Sequence, residues 1–65
     1  MKIVLNGEPR DVGAPTLHEI LDELGFGGAT IATAVNGSFV PANARAATRL
    51  AEGDRVEVLA PRQGG

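Results

Sequence analysis

The chain has 65 residues, enough for one domain near the small end of what folds without staples. It contains no Cys, which removes disulfides and thiolate metal sites, and its formal net charge of -2, with no run of like charges, lacks the basic footprint of nucleic-acid binding. No stretch reaches the length of a membrane span, and Lys2 is followed by only three apolar residues before Asn6-Gly7, unlike a secretory leader. The expectation is a cytoplasmic domain held by one aliphatic core.

Met1 to Leu5 reads as a strand, with Met1, Ile3 and Leu5 on one face and Lys2 and Val4 on the other. Asn6-Gly7 is a two-residue hairpin signal, because a type I′ turn needs positive φ at both central positions. Glu8 to Val12 forms the return strand, and Pro9 assigns it to a sheet edge. Gly13-Ala14-Pro15 connects it to a helix. Thr16 is the expected N-cap, with Glu19 at capping-box spacing. Leu17, Ile20, Leu21 and Leu24 make one apolar stripe, His18, Glu19, Asp22 and Glu23 lie opposite, and Gly25 suits the C′ position.

Phe26-Gly27-Gly28-Ala29 reads as a flexible link. Thr30 to Val35 is a β-branched and alanine run, Asn36-Gly37 repeats the hairpin signal, and Ser38-Phe39-Val40 returns until Pro41 stops it. Ala42 to Leu50 supports one or two helical turns, with Asn43 as cap and Leu50 as core anchor. Glu52-Gly53-Asp54 is a tight turn into the last strand, Arg55 to Ala60. Two hairpins flank one amphipathic helix, with a last strand able to lie beside the first. That order predicts an α+β fold, a mixed sheet of four to five strands with one main helix packed on one face. The expected core is Met1, Ile3, Leu5, Leu17, Ile20, Leu21, Leu24, Val35, Leu50, Val56 and Val58.

Catalytic constellations are missing from the sequence. His18 is the only histidine and sits on the polar helix face, where a solvated role outweighs metal or triad chemistry. Asp22 and Glu23 are adjacent and do not face each other on a helix, so they are no acid/base pair. Neither a metal site nor independent turnover is expected. The distinctive segment is the tail, residues 61–65, after a domain of residues 1–60. Pro61 ends the last strand, and Arg62-Gln63-Gly64-Gly65 closes on two glycines and a free carboxylate. Such an end is either a frayed terminus or a reactive handle thin enough to enter another protein's active site.

The run Ala34-Val35-Asn36-Gly37-Ser38-Phe39-Val40-Pro41, then Leu50-Ala51-Glu52-Gly53-Asp54-Arg55-Val56-Glu57-Val58, then Gly64-Gly65, resembles the ThiS family of thiamine-biosynthesis sulfur carriers. The resemblance spans the chain and implies a ubiquitin-like β-grasp fold. One departure is visible: relatives often carry an Arg-containing polar stretch after the Val-Pro pair, where this chain has Ala42-Asn43-Ala44-Arg45. The resemblance also implies a chemistry. An E1-like adenylyltransferase (ThiF type) would use ATP and magnesium to convert the Gly65 carboxylate to an acyl-adenylate. A cysteine desulfurase or another persulfide donor would supply sulfur, and the Gly65 thiocarboxylate would deliver it to thiazole synthase (ThiG type). Arg62, Gln63 and Gly64 would be read by the partner as the tail enters. The chain itself would bind no cofactor and would be monomeric when free.

A partner needs a docking surface. With Ile3 and Leu5 inward, Val4 points out; with Val56 and Val58 inward, Leu59 points out. Val4 and Leu59 are expected close together on the exposed sheet face, beside Arg62, as the contact for the activating enzyme. Three other readings compete: a carrier of the molybdopterin synthase small-subunit type, a ubiquitin-like modifier, and a plain β-grasp interaction module with an incidental glycine tail.

Overall fold

Two Asn-Gly pairs set the two hairpins. The computed structural model describes residues 1–28 and 30–61. In it Asn6 and Gly7 have φ of 48° and 86°, and Asn36 and Gly37 have 50° and 85°. Asn is among the few side chains that tolerate this region, so both pairs form the primed turns whose twist matches flanking strands. The first joins β1 (Lys2–Leu5) to β2 (Glu8–Asp11), with Leu5 opposite Glu8. The second joins β3 (Ala32–Val35) to β4 (Ser38–Val40), with Val35 opposite Ser38.

The last strand, β5 (Arg55–Leu59), enters between the hairpins, parallel to β1 and antiparallel to β3, giving the order β2-β1-β5-β3-β4. Five strands and a helix on one face make the expected mixed β-grasp sheet. Both edges are blunted: β2 carries Pro9, and β4 is three residues long and stops at Pro41.

Helix α1 (Leu17–Glu23) is too short to be stable alone and is held by packing. Leu17 and Ile20 are completely buried and Leu21 nearly so. At its start the Thr16 hydroxyl oxygen accepts from the Glu19 N–H at 3.3 Å. The reciprocal half differs from the expected capping box: Glu19 Oε1 accepts from the Thr16 hydroxyl at 2.9 Å. At the other end Gly25, with φ of 93°, sits at C′. The Gly25 N–H donates to Asp22 O at 3.2 Å and the Phe26 N–H to Leu21 O at 2.8 Å, the two bonds of a Schellman closure. Phe26 therefore begins the expected flexible link as a fixed residue packed on the core.

Between β4 and β5 the chain makes a 3₁₀ segment, Ala42–Ala47, shorter than expected. Pro41 takes the N-cap position, with no side-chain capping bond, so Asn43 is not the cap. Past this segment the Leu17 N–H donates to Thr48 O and the Leu50 N–H to Pro15 O, tying the connection to the helix entry.

The core joins Ile3, Leu5, Val56 and Val58 of the central strands to Leu17, Ile20 and Leu21, with Val12 and Val40 closing the sides. Leu24, Val35 and Leu50 pack against it partly buried. Met1, expected inside, is 37% exposed. Its ammonium donates to Val12 O at 3.0 Å and its carbonyl accepts from the Val12 N–H at 2.8 Å. The two residues thus add one rung beyond the last pair of β1 and β2, and Val12 is the one that turns under the helix layer. Thr33 is a buried polar residue, fully paired: its hydroxyl donates to Val40 O at 2.8 Å and accepts from Arg45 Nε at 3.0 Å.

Candidate functional site

The strand that leads into the tail is the most constrained of the five. β5 is central, with β1 on one side and β3 on the other. At its beginning, Asn36 Oδ1 accepts from the Arg55 N–H at 2.9 Å, and Asn36 Nδ2 donates to Asp54 Oδ1 at 3.0 Å. The other Asp54 oxygen accepts from the Ala51 N–H at 2.7 Å. Near its end, Asn6 Oδ1 accepts from the Val58 N–H at 2.9 Å, and Asn6 Nδ2 donates to Val58 O at 3.2 Å. Each turn asparagine therefore clamps one end of β5. In the sequence both pairs signal only turns, because nothing local shows what their side chains reach across about 20 or 50 residues.

Hydrogen bonds from Asn36 first, and then from the Ala51 N–H, hold the Asp54 carboxyl below its ordinary value of 3.8. A carboxyl with a depressed folded pKa stabilises the fold fully above its unfolded pKa, and loses that contribution as pH falls through the folded value. Resistance to urea is therefore expected to weaken from about pH 5 downward. Asp54→Ala should flatten part of that slope, and an unchanged slope in the variant would place the acid sensitivity elsewhere.

Alternation along β5 puts Val56 and Val58 inward and Arg55, Glu57 and Leu59 on the face opposite the helix. Register adds neighbours to that face: Ala32 beside Leu59, Ala34 beside Glu57, Phe39 beside Ala34, and Val4 beside Arg55. Val4 and Leu59 do share this face. They are not close together, however: Val4 is level with Arg55, and Leu59 lies four residues further on, about 13 Å along the strand. Parallel pairing places the two strands in step at Leu5 and Val56, a register that sequence alternation alone does not define. Phe39 shares this face as well, level with Glu57 and two strands across from β5. Leu59 is 72% and Phe39 69% exposed, with the small residues Ala32 and Ala34 on the strand between them, whereas Val4 is half-buried. The signal for Phe39 was present in the alternation of Ser38-Phe39-Val40 ahead of Pro41.

Arg45 is turned to internal work. Besides its bond to Thr33, its Nη2 donates to Ile31 O at 2.8 Å, so the guanidinium fastens the 3₁₀ segment to the start of β3. His18 is exposed. Among the described residues no three His, Asp or Glu side chains converge as a metal site, and no helix is long and apolar enough to cross a membrane. The tail positions Arg62, Gln63, Gly64 and Gly65 lie outside the described residues.

Comparison with known proteins agrees with this architecture. The ThiS family profile matches residues 3–65. The chain is similar to the crystal structure of a thiamine biosynthesis protein (ThiS) from Geobacter metallireducens, with a TM-score of 0.84, 33% identity and 100% of both chains covered. It is also similar to an NMR solution structure of a thiamine biosynthesis protein from Geobacter metallireducens, with a TM-score of 0.79, 29% identity, and 100% of this chain and 88% of that chain covered. Comparison with curated protein sequences yields no significant match. A sheet of this order, a helix across one face and a profile running through the terminal Gly-Gly lead to one assignment: the chain belongs to the ThiS family, whose members are small sulfur carriers of thiamine biosynthesis.

Proposed function

We propose that Gly65 carries sulfur as a C-terminal thiocarboxylate for assembly of the thiazole ring of thiamine. The observation that supports this reading most directly is that the family match runs through the Gly64-Gly65 pair. A carboxylate resists nucleophilic attack because its charge and resonance oppose it. Activation by an E1-like adenylyltransferase removes that obstacle: a Gly65 oxygen attacks the α-phosphorus of ATP, pyrophosphate leaves, and an acyl-adenylate remains. The terminal sulfur of a cysteine persulfide then attacks the acyl carbon and AMP leaves. A thiol cleaves the resulting S–S bond, releasing the thiocarboxylate and a disulfide. Thiazole synthase accepts the sulfur.

In this scheme the chain is a protein-borne substrate with no turnover of its own. ATP and magnesium belong to the activating partner, and the chemistry is that of the cytoplasm, where ATP and thiols are available. Gly64 and Gly65 lack a Cβ that would obstruct a narrow channel, and Arg62 and Gln63 offer polar contacts beside it. The docking surface is the outer sheet face around Leu59 and Phe39, with Val4 at its far margin.

The test is the intact mass of the protein isolated from cells growing without thiamine, alongside a chain lacking Gly65. A fraction heavier by exchange of one oxygen for sulfur, mapped to Gly65 and absent from the shortened chain, is the expected result. An unmodified mass that persists after incubation with ATP, an E1-like enzyme and a persulfide donor would overturn the carrier reading in favour of an interaction module. Covalent ladders with lysines of other proteins would instead identify a modifier.

A further inference from the structure

The Asn6 side chain occupies a place that backbone would normally fill. Along the parallel pair of β1 and β5, the Val4 N–H donates to Asp54 O at 2.9 Å, and the Asn6 N–H donates to Val56 O at 2.9 Å. The next rung needs an acceptor for the Val58 N–H and a donor for the Val58 carbonyl. The chain cannot supply them from its backbone, because at Asn6 it enters the left-handed turn and doubles back into β2. A carboxamide carries the same donor and acceptor as a peptide unit. The Asn6 carboxamide makes both bonds, at 2.9 and 3.2 Å.

On its other side β5 is paired through Leu59 to Ala32. The end of the strand is therefore held on both sides only while Asn6 is latched. Val58 lies three residues before Pro61, where the tail departs.

We infer that Asn6 is a positioning residue for the reactive tail: its carboxamide extends the β1 ladder by one peptide-like rung and thereby fixes the root from which residues 61–65 reach a partner's active site. This inference rests on the carrier reading. A tail whose root is loose samples a larger volume, so its carboxylate spends less time in the reactive geometry even when the body of the domain is docked. The consequence is specific. Losing the latch lowers the rate within the docked complex and leaves docking itself intact.

Two variants separate this from general weakening of the fold. Asn6→Gly keeps the turn, since Gly accepts its φ, and removes the latch. Asn36→Gly does the same at the opposite end of β5, removing the bonds to Asp54 and Arg55. Hydrogen exchange and adenylation by an E1-like enzyme, followed as ATP–pyrophosphate exchange, are measured on both. In Asn6→Gly the protection of the Val58 amide and the adenylation kcat are each expected to fall about tenfold, the size of a lost hydrogen-bonded rung, while KM for the carrier stays within about twofold. Asn36→Gly should leave Val58 protection and kcat near wild type. Equal losses of kcat in the two variants, or wild-type kcat in Asn6→Gly, would overturn the inference alone. A wild-type chain that is not adenylated at all would overturn the carrier reading, and the tail role with it.

Discussion

Ile20→Ala is expected to remove a large share of the domain's stability at 25 °C. Ile20 is completely buried between the helix and the central strands. Truncating a buried Ile costs about 2–5 kcal/mol, through lost transfer energy and the cavity left behind. A chain of this length has about 3–10 kcal/mol in total, at roughly 0.05–0.15 per residue. With α1 only two turns long and dependent on packing, the site has few ways to collapse around the gap. The gain in helix propensity from Ala is a few tenths of a kcal/mol and does not alter the outcome. Urea unfolding followed by circular dichroism checks this. A loss below about 1 kcal/mol would mean that the helix is held elsewhere than at Ile20.

The double substitution Phe39→Asp, Leu59→Asp should have the largest effect on partner binding. Both side chains are mostly exposed on the face opposite the helix, so the fold itself should lose little, within about 0.5 kcal/mol for each change at such a surface. Burial of each in an interface is worth about 1.5–3 kcal/mol, so losing both should raise KM for the carrier in adenylation by about a hundredfold or more. The kcat at saturation should hardly change, the reverse of the pattern expected for Asn6→Gly. Val4→Asp should weaken docking less, because Val4 is half-buried and stands about 13 Å along the strand from Leu59. A double variant adenylated with wild-type KM would show that this face is not the docking surface.

Local chemistry carried much of this molecule into view before any contact was known. Both Asn-Gly turns, the Thr16 start and Gly25 end of the helix, and the edge position of β2 through Pro9 depend on the φ preferences and hydrogen-bonding groups of residues a few positions apart. Period-2 and period-3.6 spacing likewise separated Ile3, Val56 and Ile20, which face the core, from Leu59, which does not. The terminal Gly64-Gly65 pair, within a chain of this order, pointed to the family.

What the sequence left open depended on register between segments some 20 to 50 residues apart. Alternation placed Val4 and Leu59 on one face, but only the pairing of Leu5 with Val56 revealed that they lie well apart, and only the pairings of β3 set Phe39 on that face, level with Glu57. The same holds for Met1, which yields its place to Val12 one rung beyond the hairpin, and for Arg45, which turns inward to Thr33 and Ile31. Asn6 combines both levels. Its tolerance of a left-handed φ was legible as a turn, whereas its bonds to Val58 exist only because the fold brings β5 alongside β1 at the point where β1 ends. Short-range preferences act on a few dihedrals and can be read from neighbours. The partners of an exposed side chain are decided by the one packing that buries Ile3, Leu17, Ile20 and Val56 together, and that is a property of the whole chain.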